Sequence, residues 1–136
     1  MADFDLRKLS APIEALRPEL EAAYKRLDAK WKAVIDQLQK LLIPCDVSYT
    51  YSENDGGPEC CAIEWRKWNG LKRICDVYFY EEMGAEGPEG AERVTPFEEW
   101  GAEQRIQMLE HIPGLFESAA VQTKAFLKRI QDKEGK

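Results

Sequence analysis

Asn69-Gly70 constrains the fold of this chain more than any other two residues. The pair separates two runs rich in aromatic and β-branched residues, 60–68 and 71–80. A two-residue hairpin turn that matches strand twist needs positive φ at both central positions, which Asn-Gly tolerates best. The register follows. Trp68 faces Leu71, Arg66 faces Arg73, Trp65 faces Ile74, Glu64 faces Cys75 and Ile63 faces Asp76. Side chains alternate across a strand. Trp65, Ile63 and Ile74 therefore share the core side, and Trp68, Leu71, Arg66, Arg73, Glu64 and Cys75 share the other. Arg66 opposite Arg73 is unfavourable by itself, and Glu64 is placed to offset it.

A third strand precedes the hairpin over residues 46–51, with Val47, Tyr49 and Tyr51 on one side. Residues 54–58 form a loop rich in Asn, Gly and Pro. Two helical segments bracket these strands. Leu20, Tyr24, Leu27, Trp31, Val34, Leu38 and Leu41 step by 4, 3, 4, 3, 4 and 3, a heptad seam on one helix face. Ser10 is the candidate N-cap and Pro12 is tolerable in the first turn. Pro18 either kinks the helix or marks its start, and Pro44 ends it. The second segment places Ile106, Leu109, Ile112, Phe116, Ala119, Thr123, Phe126 and Ile130 at steps of 3 and 4. That periodicity runs through Pro113-Gly114, so there are two helices or one that is kinked there. The polar tail, 131–136, is expected to fray.

Charge is uneven. The chain carries a formal −6, and residues 81–99 hold seven Glu and one Arg, which accounts for all of it. Residues 64–73 and 124–136 are each +3. Glycines, Pro88 and Glu dominate 81–94, with neither helical stripe nor strand alternation, so an exposed mobile loop is expected. Thr95-Pro96-Phe97-Glu98 then reads as a capping box that opens a short helical turn through Trp100. The expected architecture is one α+β domain. A long N-terminal helix and a Pro-broken C-terminal helical segment bracket a three-stranded antiparallel meander.

These features exclude more functions than they support. With 44% hydrophobic and 32% charged residues, the 136-residue chain has globular rather than disordered composition. No run approaches the roughly 18 apolar residues of a membrane span. The start lacks the basic-then-apolar pattern of a signal peptide, which points to the cytoplasm. Net negative charge argues against nucleic acid as a partner. No phosphate-binding or nucleophile-elbow motif is present, and no pattern demands a cofactor. Cys45, Cys60, Cys61 and Cys75 lack the close pairing of zinc ligands, and reduced thiols are the simplest reading. His111, the sole histidine, sits at the helix break, where capping of terminal carbonyls explains it without catalysis.

Two surfaces are candidates for binding. Glu64, Arg66, Trp68, Leu71 and Arg73 on the hairpin combine guanidinium groups with large apolar groups, the composition of interface hot spots. Tyr49, Tyr51, Tyr78 and Tyr80 line one sheet surface if their strands are neighbours, either packed under a helix or walling a small-ligand pocket. The leading expectation is a non-enzymatic interaction module, an adaptor or inhibitor that acts by binding another macromolecule, with a protein as the favoured partner. The helix seam also suits a homodimer. The alternative is a small-ligand or nucleotide-binding protein that uses the sheet tyrosines and the hairpin arginines. An enzyme built on a thiol and His111 ranks last, because a nucleophile needs a base within reach.

Overall fold

A computed structural model describes residues 3–54 and 56–135 of the chain. Asp55, in the expected loop, and Lys136, in the expected frayed tail, lie outside the described residues. The chain divides at Asp36 into two units.

The first unit is helical. Helix α1 (Leu6–Glu14) is followed by α2 (Arg17–Lys40), whose last turn belongs to the second unit. The cap of α1 is Asp5 rather than Ser10. Its carboxylate accepts from the backbone N–H of Arg7 at 3.1 Å and of Lys8 at 3.3 Å, two donors that a helix start leaves unpaired. Between the helices the chain departs little from helical bonding. The Ala15 N–H donates to Ala11 O, the Leu16 N–H to Ile13 O and the Leu20 N–H to Leu16 O. Pro18 explains the break, since it brings no N–H to the carbonyl of Glu14. The seam extends further toward the N-terminus than its periodicity alone suggested. Leu6, Leu9, Ile13 and Leu16 continue it at steps of 3, 4 and 3.

The second unit is built on a four-stranded antiparallel sheet in the order β1 (Val47–Glu53), β2 (Cys60–Trp68), β3 (Leu71–Gly84) and β4 (Gly87–Pro96). The hairpin forms as its turn chemistry requires, with φ of 50° at Asn69 and 88° at Gly70. Every pair from Trp68↔Leu71 to Ile63↔Asp76 holds the expected register.

The fourth strand corrects the expected three-stranded meander. Residues 81–94 are not a loop. β3 continues through Glu81, Glu82 and Met83, turns through two residues, and returns as β4 with Glu82 facing Glu89 and Val77 facing Val94. The pairing relies on cross-strand contacts rather than on hydrophobic alternation. Arg93 lies opposite Tyr78 with its guanidinium 5.7 Å from the ring centre, and Val77 and Val94 pair where the strand meets the core. β4 is an edge strand, which is why Pro88 is tolerated in it.

Past β4, Phe97–Glu99 form a single 3-10 turn. Pro96 occupies the cap position and no side chain caps the turn, so the expected capping box does not form. The indole N–H of Trp100 instead donates to Thr95 O at 2.8 Å. Helix α3 (Ala102–Met108) leads through the 3-10 turn Leu109–His111 into α4 (Ile112–Glu134). Pro113 lies in the first turn of α4, where a missing N–H costs nothing. The helix continues to Glu134, so the tail is ordered further than expected.

Helix α4 lies against β1. Gln122 Nε2 donates to Ser48 O at 3.5 Å. Gly114 meets the ring of Tyr49 so closely that a Cβ at that position would overlap the ring atoms. Val47, Ile63, Trp65 and Ile74 are buried in one alternation phase of the sheet, and Leu115 and Ala119 of α4 are buried too. Ala62, Cys75 and Val77 occupy the opposite phase and are also fully buried. The central strands are therefore enclosed on both faces.

Candidate functional site

The hairpin arginines are already partnered. Arg66 Nη1 lies 2.9 Å from Glu64 Oε1 and 3.4 Å from Glu92 Oε1, and its guanidinium sits 5.4 Å from the Trp68 ring centre. Glu64 is only 8% exposed. Arg73 Nε donates to Trp68 O at 3.1 Å, and its Nη1 lies 3.2 Å from Glu98. Glu64 thus offsets the Arg66–Arg73 juxtaposition, with help from Glu92 and Glu98. Leu71 is the one strongly exposed apolar residue of the five, at 62%.

The four tyrosines do not form one surface. Strand β2 separates β1 from β3, so Tyr49 and Tyr51 are not neighbours of Tyr78 and Tyr80. Tyr78 and Tyr80 stack on each other at 5.4 Å, and Arg93 lies over Tyr78. Tyr49 packs against Gly114. Tyr51 joins a polar cluster that the chain brings together from four elements.

That cluster centres on Asp76 of β3. The Tyr51 hydroxyl donates to Asp76 Oδ1 at 2.7 Å, and Gln104 Nε2 of α3 donates to Asp76 Oδ2 at 2.7 Å. The imidazole of His111 stacks on Tyr51 with centroids 4.2 Å apart. Its Nε2 lies 3.4 Å from Glu110 Oε1. An open cleft of about 840 Å3 runs beside these groups, bordered also by Glu103, Gln107 and Met108. Sequence reasoning singled out Tyr51 and His111 but missed Asp76 and Gln104. The signal for Asp76 was its register: it faces Ile63 and so is an acid in the inward phase of a strand. Gln104 offered no such signal, since only the folded chain brings α3 to β3.

Cys61 and Cys75 are not activated. Burial pushes Cys75 up to about 11, and burial together with the Asp76 carboxylate also raises Cys61. A nucleophilic cysteine needs a shift in the other direction. Burial, and next the hydrogen bond to Asp76, keeps the Tyr51 hydroxyl protonated well above its ordinary range. These shifts set the alkaline limit of the fold. An unfolded chain releases the Cys75 proton near pH 9, whereas the folded chain holds it to about 11. Between those values the unfolded state binds fewer protons, so stability falls as pH rises. The expected loss is on the order of 2 kcal/mol, with Tyr51 adding to it above pH 10. Urea unfolding at pH 8 and pH 10.5 measures the loss, and Cys75→Ala removes the Cys75 share, leaving those of Cys61 and Tyr51. Equal stability at both pH values in the parent chain contradicts the assignment.

The third feature is the apolar face of the helical unit. Leu6, Leu9, Ile13, Leu16, Leu20 and Tyr24 are between 44% and 72% exposed, and Phe4 just before α1 is 75% exposed. Farther along the seam Trp31 and Leu38 are buried, before Leu41 is again 42% exposed.

No family model, no curated protein and no solved structure matches the chain. Among the described residues, no helix is long and apolar enough to cross a membrane, and no three His, Cys, Asp or Glu side chains are grouped to hold a metal ion.

Proposed function

We propose that the chain is an interaction module whose binding face is the apolar stripe of α1 and the first turns of α2. One observation carries this reading: six large apolar side chains spaced three and four apart, Leu6, Leu9, Ile13, Leu16, Leu20 and Tyr24, are at least 44% exposed. A contiguous apolar surface of this kind marks a docking site, because leaving it in water forfeits the hydrophobic free energy of burial. The spacing supports helix-to-helix or helix-in-groove docking, in which residues three and four apart anchor the contact. The partner is a protein with a complementary apolar groove or a second copy of this chain. A nucleotide site at the hairpin gains no support, since Arg66 and Arg73 are each tied to glutamates.

The test compares two surfaces. Leu9→Lys combined with Ile13→Lys is expected to keep the parent circular dichroism spectrum and to lose both self-association in light scattering and partner recovery in affinity capture. Trp68→Ala combined with Arg73→Ala is expected to keep them. Association that survives the stripe substitutions and disappears with the hairpin substitutions reverses the assignment.

A further inference from the structure

We propose that a second copy of this chain, lying antiparallel, is the partner of the apolar stripe; this rests on the stripe being the binding face. The apolar spacing admits such a pair. With a two-fold axis near Glu14 and Ala15, Leu6 lies opposite Tyr24, Leu9 opposite Leu20 and Ile13 opposite Leu16. Every stripe residue then meets another, over roughly 28 Å of helix at 1.5 Å per residue. A two-fold contact of this kind uses one patch twice and closes on itself. Spacing alone does not choose the orientation, because a parallel pair also aligns leucine with leucine.

Charge chooses it. Along residues 3–26 the signs come in pairs. Asp3 and Asp5 are negative, and Arg7 and Lys8 are positive. Beyond the axis, Glu19 and Glu21 are negative, and Lys25 and Arg26 are positive. Reversing this order inverts every sign. An antiparallel copy therefore brings Asp3 and Asp5 to the level of Lys25 and Arg26, and Arg7 and Lys8 to the level of Glu19 and Glu21. A parallel copy sets each negative pair beside a negative pair and each positive pair beside a positive one.

The other two charges of the stretch, Glu14 and Arg17, lie close to the axis and bond to each other within the chain at 2.8 and 2.9 Å. The outer four pairs thus carry the selection. Opposite charges across an interface steer association, and like charges oppose it. All eight of these side chains are on exposed residues, so the selection weakens with added salt. A groove on an unrelated protein would need no charge order that is its own complement.

Sedimentation equilibrium of the full chain tests the proposal. The parent is expected to form a dimer that dissociates on dilution. Arg7→Glu with Lys8→Glu is expected to weaken self-association at least tenfold in low salt, and so is Glu19→Lys with Glu21→Lys. Both variants are expected to keep the parent circular dichroism spectrum. Mixing them in equal amounts is expected to restore the parent affinity as a heterodimer, since each supplies the charges the other has lost. One chain carrying all four substitutions is expected to recover as well. In about 1 M salt, where screening acts over ~3 Å, variants and parent converge. A parent that stays monomeric at about 1 mM overturns the second copy as partner and leaves the stripe to the capture experiment. Charge variants that self-associate as tightly as the parent overturn the antiparallel arrangement. Self-association that survives Leu9→Lys with Ile13→Lys overturns the stripe itself.

Discussion

Gly114→Ala is expected to lower the melting temperature by about 8–15 °C, a destabilisation of roughly 2–4 kcal/mol for a domain of this size. The sign alone is diagnostic. Replacing glycine by alanine inside a helix ordinarily stabilises it by about 1 kcal/mol, because alanine has less backbone freedom to lose. Here α4 approaches β1 so closely that the added methyl would occupy the space of the Tyr49 ring. A packed core offers no empty volume for either group, so the helix must lift from the sheet or the ring must leave its rotamer. The control is Tyr49→Ala. That variant loses ring packing, yet adding Gly114→Ala to it should cost nothing further, since the obstacle is gone. A Gly114→Ala chain that melts with or above the parent refutes the close approach of α4 to β1.

Glu64→Leu is expected to cost about 3 kcal/mol, whereas Glu64→Leu with Arg66→Met is expected to lie within about 1 kcal/mol of the parent. Glu64 and Arg66 have side chains only 11% and 20% exposed, and they meet at 2.9 Å. Removing the carboxylate strands a poorly solvated guanidinium opposite Arg73, with only Glu92 at 3.4 Å to balance it. Removing both charges lifts the desolvation penalty along with the attraction. Urea unfolding of the two single variants and the double variant closes the cycle. A double variant as unstable as Glu64→Leu would show that the pair contributes more than it costs to desolvate.

How much of this was legible in the sequence differs from element to element. The Asn69-Gly70 turn could be read to the residue because its chemistry is local. Once both turn residues adopt positive φ, the register of β2 and β3 is determined. The edge strand β4 was not legible. Its glycines, prolines and glutamates carry no period of two, and it is held by a neighbour's backbone and by contacts such as Arg93 on Tyr78. The start of α1 was misplaced for a related reason. Asp5 and Ser10 are both good caps by type, and the choice between them depends on where the chain begins to turn. The cleft is a mixed case. Tyr51 and His111 stood out by residue type, but their meeting with Asp76 and Gln104 needed four separate stretches of chain to converge.

The acidic ribbon also has a consequence for which molecules can approach the sheet. A strand adding itself to β4 would meet Glu89 and Glu92 along the border, with only Arg93 to offer relief, and would find no donor at Pro88 or Pro96. That border therefore works as a fence: it discourages fibril-like stacking of one copy on the next. Of the two sheet borders, β1 carries a single acid, Glu53, at its far end. Recruitment of a partner by strand exchange is thus steered to β1 or excluded altogether. Two glutamates on one short strand thus help to keep that seam of the sheet from becoming adhesive.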